Sequence, residues 1–325
     1  MINDKANRKP ILSIYVSVYN HKNYIKEALN SILMQKTDYE YEVLVGDDAS
    51  TDGTTEILKE YEKKYPSKFT MILREKNIND SDTNNFMDLQ RRCRGKYMIC
   101  LEGDDYWTDE RKIDKQIDFL ENHPDYIAVA HNCVVVDEKS QVTGEVYPEC
   151  KDQEYTLNHL FNGAGILPGQ LTTIMHRNYY SNQLDIDFSL TRNAKLVPGD
   201  RVNIFTLVMN GKVYCMQETM SAYRHITESG NSFSAQNIEK PYVFERDEIL
   251  YKEFMNYAKK HKRKKEYRMC KLMYFKNIKK GYMSKQISFK EARRYSRKIN
   301  HRISTRILFL KYMINQKVLK TKMWI

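Results

Sequence analysis

The chain has 325 residues, 41% of them hydrophobic, enough for one large domain with an appendage or for two modest domains. No apolar run is long enough to span a bilayer, Met1-Ile2-Asn3-Asp4-Lys5 leads into a polar segment where a signal peptide would be apolar, and the six cysteines form no Cys-x-x-Cys pair, which argues for reduced thiols and against zinc. The net charge of +11 is unevenly held: residues 240–325 carry 26 Lys and Arg against 6 Asp and Glu, a net of +20, which leaves −9 for residues 1–239. Such an asymmetry points to a partner surface on the basic part.

In chain order, residues 11–18 are apolar and β-branched enough for a buried strand, and residues 24–34 carry Ile25, Ala28, Leu29, Ile32 and Leu33 at helical spacing. A second strand over 42–46 ends in Asp47-Asp48, and Asp52 has the place of an N-cap for a helix through Ile57, Leu58 and Tyr61 that closes near Pro66. Strands are expected over 69–73 and 97–101, then a helix over 109–122 capped by Thr108, then an apolar run over 126–136. Further on, residues 163–169 read as a loop that either shapes an acceptor site or merely connects, before a strand over 171–175 and a helix over 202–209 opened by Asp200. Alternation of this kind predicts an α/β fold with a mostly parallel sheet covered on both faces.

The most telling stretch is Glu102-Gly103-Asp104-Asp105-Tyr106-Trp107 behind the apolar strand 97–101. Ionised carboxylates repel one another and are costly to bury, so a cluster at a strand end suits a hard divalent cation such as Mg²⁺ or Mn²⁺. The plainer alternative is a solvated acidic turn that caps the next helix. In a parallel sheet Asp47-Asp48 and Asp104-Asp105 share one rim, where open α/β sheets bind ligands. No Gly-x-Gly-x-x-Gly follows the first strand and no Gly-x-x-x-x-Gly-Lys-Ser/Thr occurs, which weakens dinucleotide and P-loop readings.

The ordered series Val16-Ser17-Val18-Tyr19-Asn20, Val45-Gly46-Asp47-Asp48-Ala49-Ser50, Cys93-Arg94-Gly95-Lys96-Tyr97, Glu102 to Trp107, Lys115-Gln116-Ile117-Asp118, Pro198-Gly199-Asp200 and Tyr223-Arg224-His225 resembles a bacterial family 2 glycosyltransferase of the GT-A fold across about residues 10–230. The resemblance implies a GT-A domain over 1–238, followed by a basic helical region over 239–325. It implies transfer of a sugar from a nucleotide sugar, with UDP as the carrier, Mn²⁺ or Mg²⁺ as cofactor, and inversion at the anomeric carbon. Tyr19 and Asp48 then hold the base, Asn85, in the loop before the fourth strand, lies near the nucleotide, and Glu102 faces the ribose. Asp104 coordinates the metal, Asp105 binds it directly or through water, and Asp200 deprotonates the acceptor hydroxyl. Glu102 departs from the family's Asp, and Arg201 stands where relatives often have an aromatic residue. There is no Gln-x-x-Arg-Trp, so a non-processive enzyme is implied.

His225 offers either a metal or diphosphate contact or an ordinary histidine, and Arg224 either a phosphate contact or a partner for an acidic helix; Trp107 is expected to pack. In the basic region, Ile303, Ile307, Leu310, Ile314 and Val318 form one stripe flanked by Arg302, Arg306, Lys317, Lys320 and Lys322. That stripe suits either packing on the body or peripheral contact with an anionic membrane, at the inner face of the cytoplasmic membrane, beside a glycan or lipid-linked acceptor. Competing classes are a nucleotidyltransferase, which would want a Gly-rich basic loop after the first strand, and a nucleic-acid-binding protein using Lys259 to Lys265. The second lacks any RNA-binding aromatic motif, and no nucleic-acid partner is expected.

Overall fold

The structure, a computed structural model, describes residues 9–78, 83–145, 147, 154–162, 168–180, 186–193, 196, 199–226 and 243–299. The chain divides into two compact units, Met1–Glu239 and Lys240–Ile325. The first opens with strand β1 (Leu12–Val18), helix α1 (Ile25–Leu33), β2 (Tyr41–Asp47), α2 (Thr54–Lys64), β3 (Phe69–Leu73), α3 (Asn85–Arg92) and β4 (Tyr97–Glu102). It continues with β5 (Tyr106–Trp107), α4 (Lys112–Asn122), β6 (Tyr126–Val136), β7 (Glu154–Tyr155), α5 (Leu157–Asn162), β8 (Met175–Arg177), α6 (Gly199–Asn210) and β9 (Lys212–Arg224).

The strands order as β3-β2-β1-β4-β8-β6-β9-β5, with β7 added on β9. The first four are parallel and form the α/β body. Beyond β4, β8 runs antiparallel to both β4 and β6, while β6 and β9 pair in parallel with shifts in register. The side-chain period of two decides the layers. Leu12, Ile14, Val16 and Val18 of β1 pack with Ile25, Ala28 and Leu29 of α1 and with Ile113, Ile117 and Leu120 of α4. The intervening Tyr15 packs with Leu44, Met98 and Cys100 against Leu89 of α3. Trp107 is 1% exposed within the first of these cores, with the Lys112 ammonium 4.3 Å from its ring centroid, so its role is packing.

Several boundaries differ from the sequence reading. Helix α2 has Gly53 at the cap position, with φ of +99°, and Asp52 acts from one residue earlier, accepting from the Thr54 N–H at 3.0 Å. Helix α4 starts at Lys112 rather than near Asp109, and Thr108 does not cap it: the Thr108 N–H donates to the Met220 carbonyl, while Asp109 accepts from the Arg111 N–H. Asn85 is not in a loop. It is the first residue of α3, capped by Asn84, whose side chain accepts from the Met87 N–H. The strand expected over 171–175 is a 3₁₀ turn, Leu171–Thr173, followed by β8, because Gln170 and the Thr173 hydroxyl satisfy the turn locally. Of the loop expected over 163–169, only Pro168 and Gly169 belong to the described residues, and the amphipathic tail over 300–325 lies outside them.

The second unit contains α7 (Phe244–Lys260), α8 (Lys264–Met283) and α9 (Phe289–Ile299). Phe244, Leu250, Phe254 and Ala258 of α7 and Cys270, Tyr274 and Ile278 of α8 are buried. Among the described residues, no helix is long and apolar enough to cross a membrane.

Two histidines of the first unit tie stability to pH. Burial pushes His176 down to about 4 and His131 well below the ordinary histidine value. Both have an Nε2 with no hydrogen-bond partner among the described residues. Below about pH 6.5 the unfolded chain therefore binds protons that the folded chain does not, and stability falls as pH drops toward 4, by at most about 1.4 kcal/mol per pH unit for each histidine. The urea midpoint is expected to decline between pH 7 and pH 5, and His176→Phe, which keeps a ring on Tyr179, should make that decline shallower.

Candidate active site

The in-register parallel pairs fix where the acidic segments meet. Val18 pairs with Asp47 and Ser17 with Glu102, so the loops after β1, β2 and β4 leave the sheet at one rim. The first two loops are tied together: Asn20, at φ of +58°, accepts from the Thr51 N–H at 2.8 Å, and its own N–H donates to the Ser50 hydroxyl. Asp47 is consumed by the turn, accepting from the Ser50 N–H and hydroxyl and from the Thr55 hydroxyl.

Asp48 differs. It is 1% exposed, Oδ1 accepts from the Ile78 N–H at 2.9 Å, and Oδ2 is buried with no hydrogen-bond partner among the described residues. Burial pushes its carboxyl up, against the Ile78 N–H and the Arg74 guanidinium 3.8 Å away. A buried carboxylate oxygen without a donor is costly, and it is an acceptor prepared for a ligand N–H. Tyr19, 45% exposed, follows β1 on the same rim. Asn85 is buried and braces the strands, donating to the Gly46 carbonyl at 2.7 Å and to the Ser17 hydroxyl, while its Oδ1 accepts from Arg74. Gly46 has to be glycine here, because a Cβ would lie 2.5 Å from Asn85 Oδ1.

Beyond β4, the three carboxylates have three environments. Glu102 accepts from the Gln170 amide at 2.6 Å, and burial, with the charge of Asp104 beside it, pushes it up to about 7. Asp104 is partly exposed, its carboxylate 3.9 Å from the His21 imidazole, which the glycine at 103 lets approach: a Cβ there would lie 2.6 Å from His21 Nδ1. Asp105 is buried, accepting from the Arg224 N–H at 2.8 Å and from the Thr172 hydroxyl at 2.8 Å, and burial pushes its carboxyl well up. Each Asp105 oxygen thus accepts one hydrogen bond from the protein.

Arg224 takes the acidic-helix alternative. Its fully buried guanidinium donates to Glu27 of α1, to the carbonyls of Asp104 and Asp137 and to the Ser140 hydroxyl, 4.5 Å from the Tyr24 ring centroid. His225 Nδ1 lies 2.6 Å from a Glu145 carboxylate oxygen, an arrangement that leaves Nε2 as its other nitrogen. Asp200 stands in the first turn of α6, accepting from the Arg201 N–H, and its charge helps raise both Glu102 and Tyr147. Among the described residues, no group of three or more His, Cys, Asp and Glu is arranged to hold a metal by itself. A lone partly exposed carboxylate still fits Mg²⁺ or Mn²⁺, which bind through one or two carboxylates together with substrate phosphates.

The sequence reading missed His21, Gln170, Thr172 and Tyr147; tertiary contacts set His21 beside Asp104, Gln170 beside Glu102 and Thr172 beside Asp105. Of these, only His21 carried a signal, its place three residues after β1.

The fold and the rim define a GT-A glycosyltransferase architecture. Staphylococcus aureus TarS 1–349 has the same fold, with a TM-score of 0.59 at 19% identity over 86% of this chain and 76% of that one. Residues 13–170 match the model of glycosyl transferase family 2, and this part of the chain belongs to that family. An uncharacterized protein of Mycobacterium tuberculosis is 34% identical over 213 residues, 66% of this chain and 58% of the relative. A putative teichuronic acid biosynthesis glycosyltransferase of Bacillus subtilis, TuaG, is 33% identical over 115 residues, 35% of this chain and 44% of that protein. The chain thus spans 58% of the length of the first of these curated relatives and 44% of the second.

Arg224→Met is expected to lower the unfolding free energy by about 3 kcal/mol, because it strands buried carbonyls and the Glu27 carboxylate. Lys115→Met, at a half-exposed pair with Asp109, should cost about 0.5 kcal/mol or less in the same urea titration.

Proposed function

We propose that the chain transfers one sugar from a nucleotide sugar, with UDP as carrier, to a hydroxyl of a glycan or lipid-linked acceptor in bacterial surface polysaccharide synthesis. The catalytic domain is residues 1–238. The observation that carries the reading is the buried Asp48 Oδ2, without a hydrogen-bond partner among the described residues, on the rim that also holds Glu102 and Asp104. The family membership of residues 13–170 supports it, as does the fold shared with TarS 1–349, a protein also known in complex with UDP-GlcNAc.

In this reading Asp48 accepts from a ring N–H of the base while Tyr19 lies against its face, and Asn85 acts at one remove by holding Gly46 and Ser17. Glu102, steadied by Gln170, faces the ribose. Asp104 would hold a divalent cation, with His225 as a further ligand through Nε2; its Nδ1 contact with Glu145 is the kind of second partner that orients a ligating histidine. A bound Mn²⁺ or Mg²⁺ would neutralise the charge that develops on the leaving diphosphate. Asp105 holds the turn, anchored by Arg224 and Thr172, and would meet the cation directly or through water. Asp200 removes the proton from the acceptor hydroxyl as that oxygen attacks the anomeric carbon from the face opposite the diphosphate, so configuration inverts. The partners are the sugar donor and the acceptor, with no nucleic acid. The basic region makes peripheral contact with an anionic membrane at the inner face of the cytoplasmic membrane, where lipid-linked acceptors are met.

A thermal-shift screen of UDP-, GDP- and dTDP-sugars with Mn²⁺ tests the donor site. UDP-sugars at about a hundredfold over Kd should stabilise the wild type by about 2.7 kcal/mol. Asp104→Ala should lose the Mn²⁺-dependent part, and Asp48→Asn should lose discrimination among bases. If no nucleotide sugar stabilises the wild type, or Asp104→Ala responds as the wild type does, the donor-site reading is wrong. Asp200→Asn should keep the donor-induced shift while transfer, followed by release of UDP, falls by about 10²- to 10⁴-fold; unchanged turnover would remove Asp200 from the base role.

A further inference from the structure

We infer that the outward stripe of α8, continued onto α9, is the surface by which the chain lies on an anionic bilayer; this rests on the membrane contact proposed above and names its location within the described residues. From Lys264 to Ile299 the chain carries 13 Lys and Arg against Glu266 and Glu291 alone. Glu291 is drawn into a capping box, accepting from the Ser288 N–H at 2.7 Å while its own N–H donates to the Ser288 hydroxyl. Its charge therefore serves the start of α9.

Helix α8 is two-faced. Cys270, Tyr274, Asn277, Ile278 and Gly281 are buried on one side. On the other, Lys265, Arg268, Leu272, Lys276 and Met283 are exposed and recur at steps of three, four or seven, so they share one stripe. Leu272 is 54% and Met283 45% exposed. Phe289, 45% exposed, opens α9 with its ring edge-on to Tyr282, 6.0 Å between centroids, which sets it at the corner where Met283 ends α8. Arg293 and Arg297 follow it, exposed, at steps of four.

Single exposed apolar residues are ordinary, but three in line within a cationic row are a composite surface. A polyanion in solution would use the cations and gain nothing from Leu272, Met283 and Phe289. The headgroup region of a bilayer takes both, lipid phosphates pairing with Lys and Arg while the apolar side chains enter the acyl boundary. The long Lys and Arg stems can lie along that boundary with their charges outward.

The test uses the full chain and vesicles of phosphatidylcholine alone or mixed with phosphatidylglycerol. The wild type is expected to co-sediment with the mixed vesicles only, and the triple variant Leu272→Asp, Met283→Asp, Phe289→Asp to bind them about tenfold more weakly or worse. Leu272→Trp should shift its emission to shorter wavelength on the mixed vesicles. If the wild type ignores them, both the surface and the membrane contact fall. If it binds and the triple variant binds equally, or if the Leu272→Trp emission does not move, this surface is wrong while membrane contact through another segment stands. Displacement by inorganic polyphosphate that is equal for wild type and triple variant would mark a polyanion site and likewise overturn the inference.

Discussion

Carboxylates gathered at the end of a sheet repel one another, and the rim of this protein is built around containing that repulsion. Arg224 anchors the turn that carries three of them. Its N–H holds the Asp105 carboxylate, and its guanidinium closes on the Asp104 carbonyl, the Asp137 carbonyl, Ser140 and Glu27, with Tyr24 beside it. One cationic residue at the end of β9 thus ties the β4 turn to α1 and to the turn after β6. Without it, the segment Glu102 to Asp105 would have neither its anchored shape nor an opposing positive charge in the interior.

With Asp105 fixed, the remaining carboxylates can differ in character. Asp47 is spent on its own turn, Asp48 keeps one buried oxygen with no hydrogen-bond partner among the described residues, Glu102 is steadied by an amide and pushed up to about 7, and Asp104 stays partly exposed beside His21. A set of acids with separated environments can divide the work of a group transfer, because base contact, metal contact and proton removal demand different solvation. Gly46 and Gly103 let this happen at close quarters, the first against Asn85 and the second against His21.

The two units present opposite chemistry. The body carries a net −9 and concentrates acids at a rim, whereas the helical unit carries a net +20 and concentrates cations on the outward side of α8 and α9.

The sequence by itself determined the parallel body, because alternating buried strands and amphipathic helices admit few other arrangements, and it set Asp48, Glu102, Asp104 and Asp105 at strand ends on one rim. The Pro198-Gly199-Asp200 element of the family resemblance also marked the helix that carries Asp200, which runs from Gly199 to Asn210. The sequence did not tell the helix beginning at Asn85, whose eight residues are too short and too polar for periodicity to stand out, nor the 3₁₀ turn at Leu171, where side-chain hydrogen bonds outweigh strand propensity. Above all, carboxylates that look alike along the chain were sorted only by tertiary contacts. Arg224 and Thr172 reach Asp105 from 119 and 67 residues away, and Gln170 reaches Glu102 from 68. Solvation and hydrogen bonding set the role of a carboxylate, and both are properties of the folded surroundings rather than of the residue.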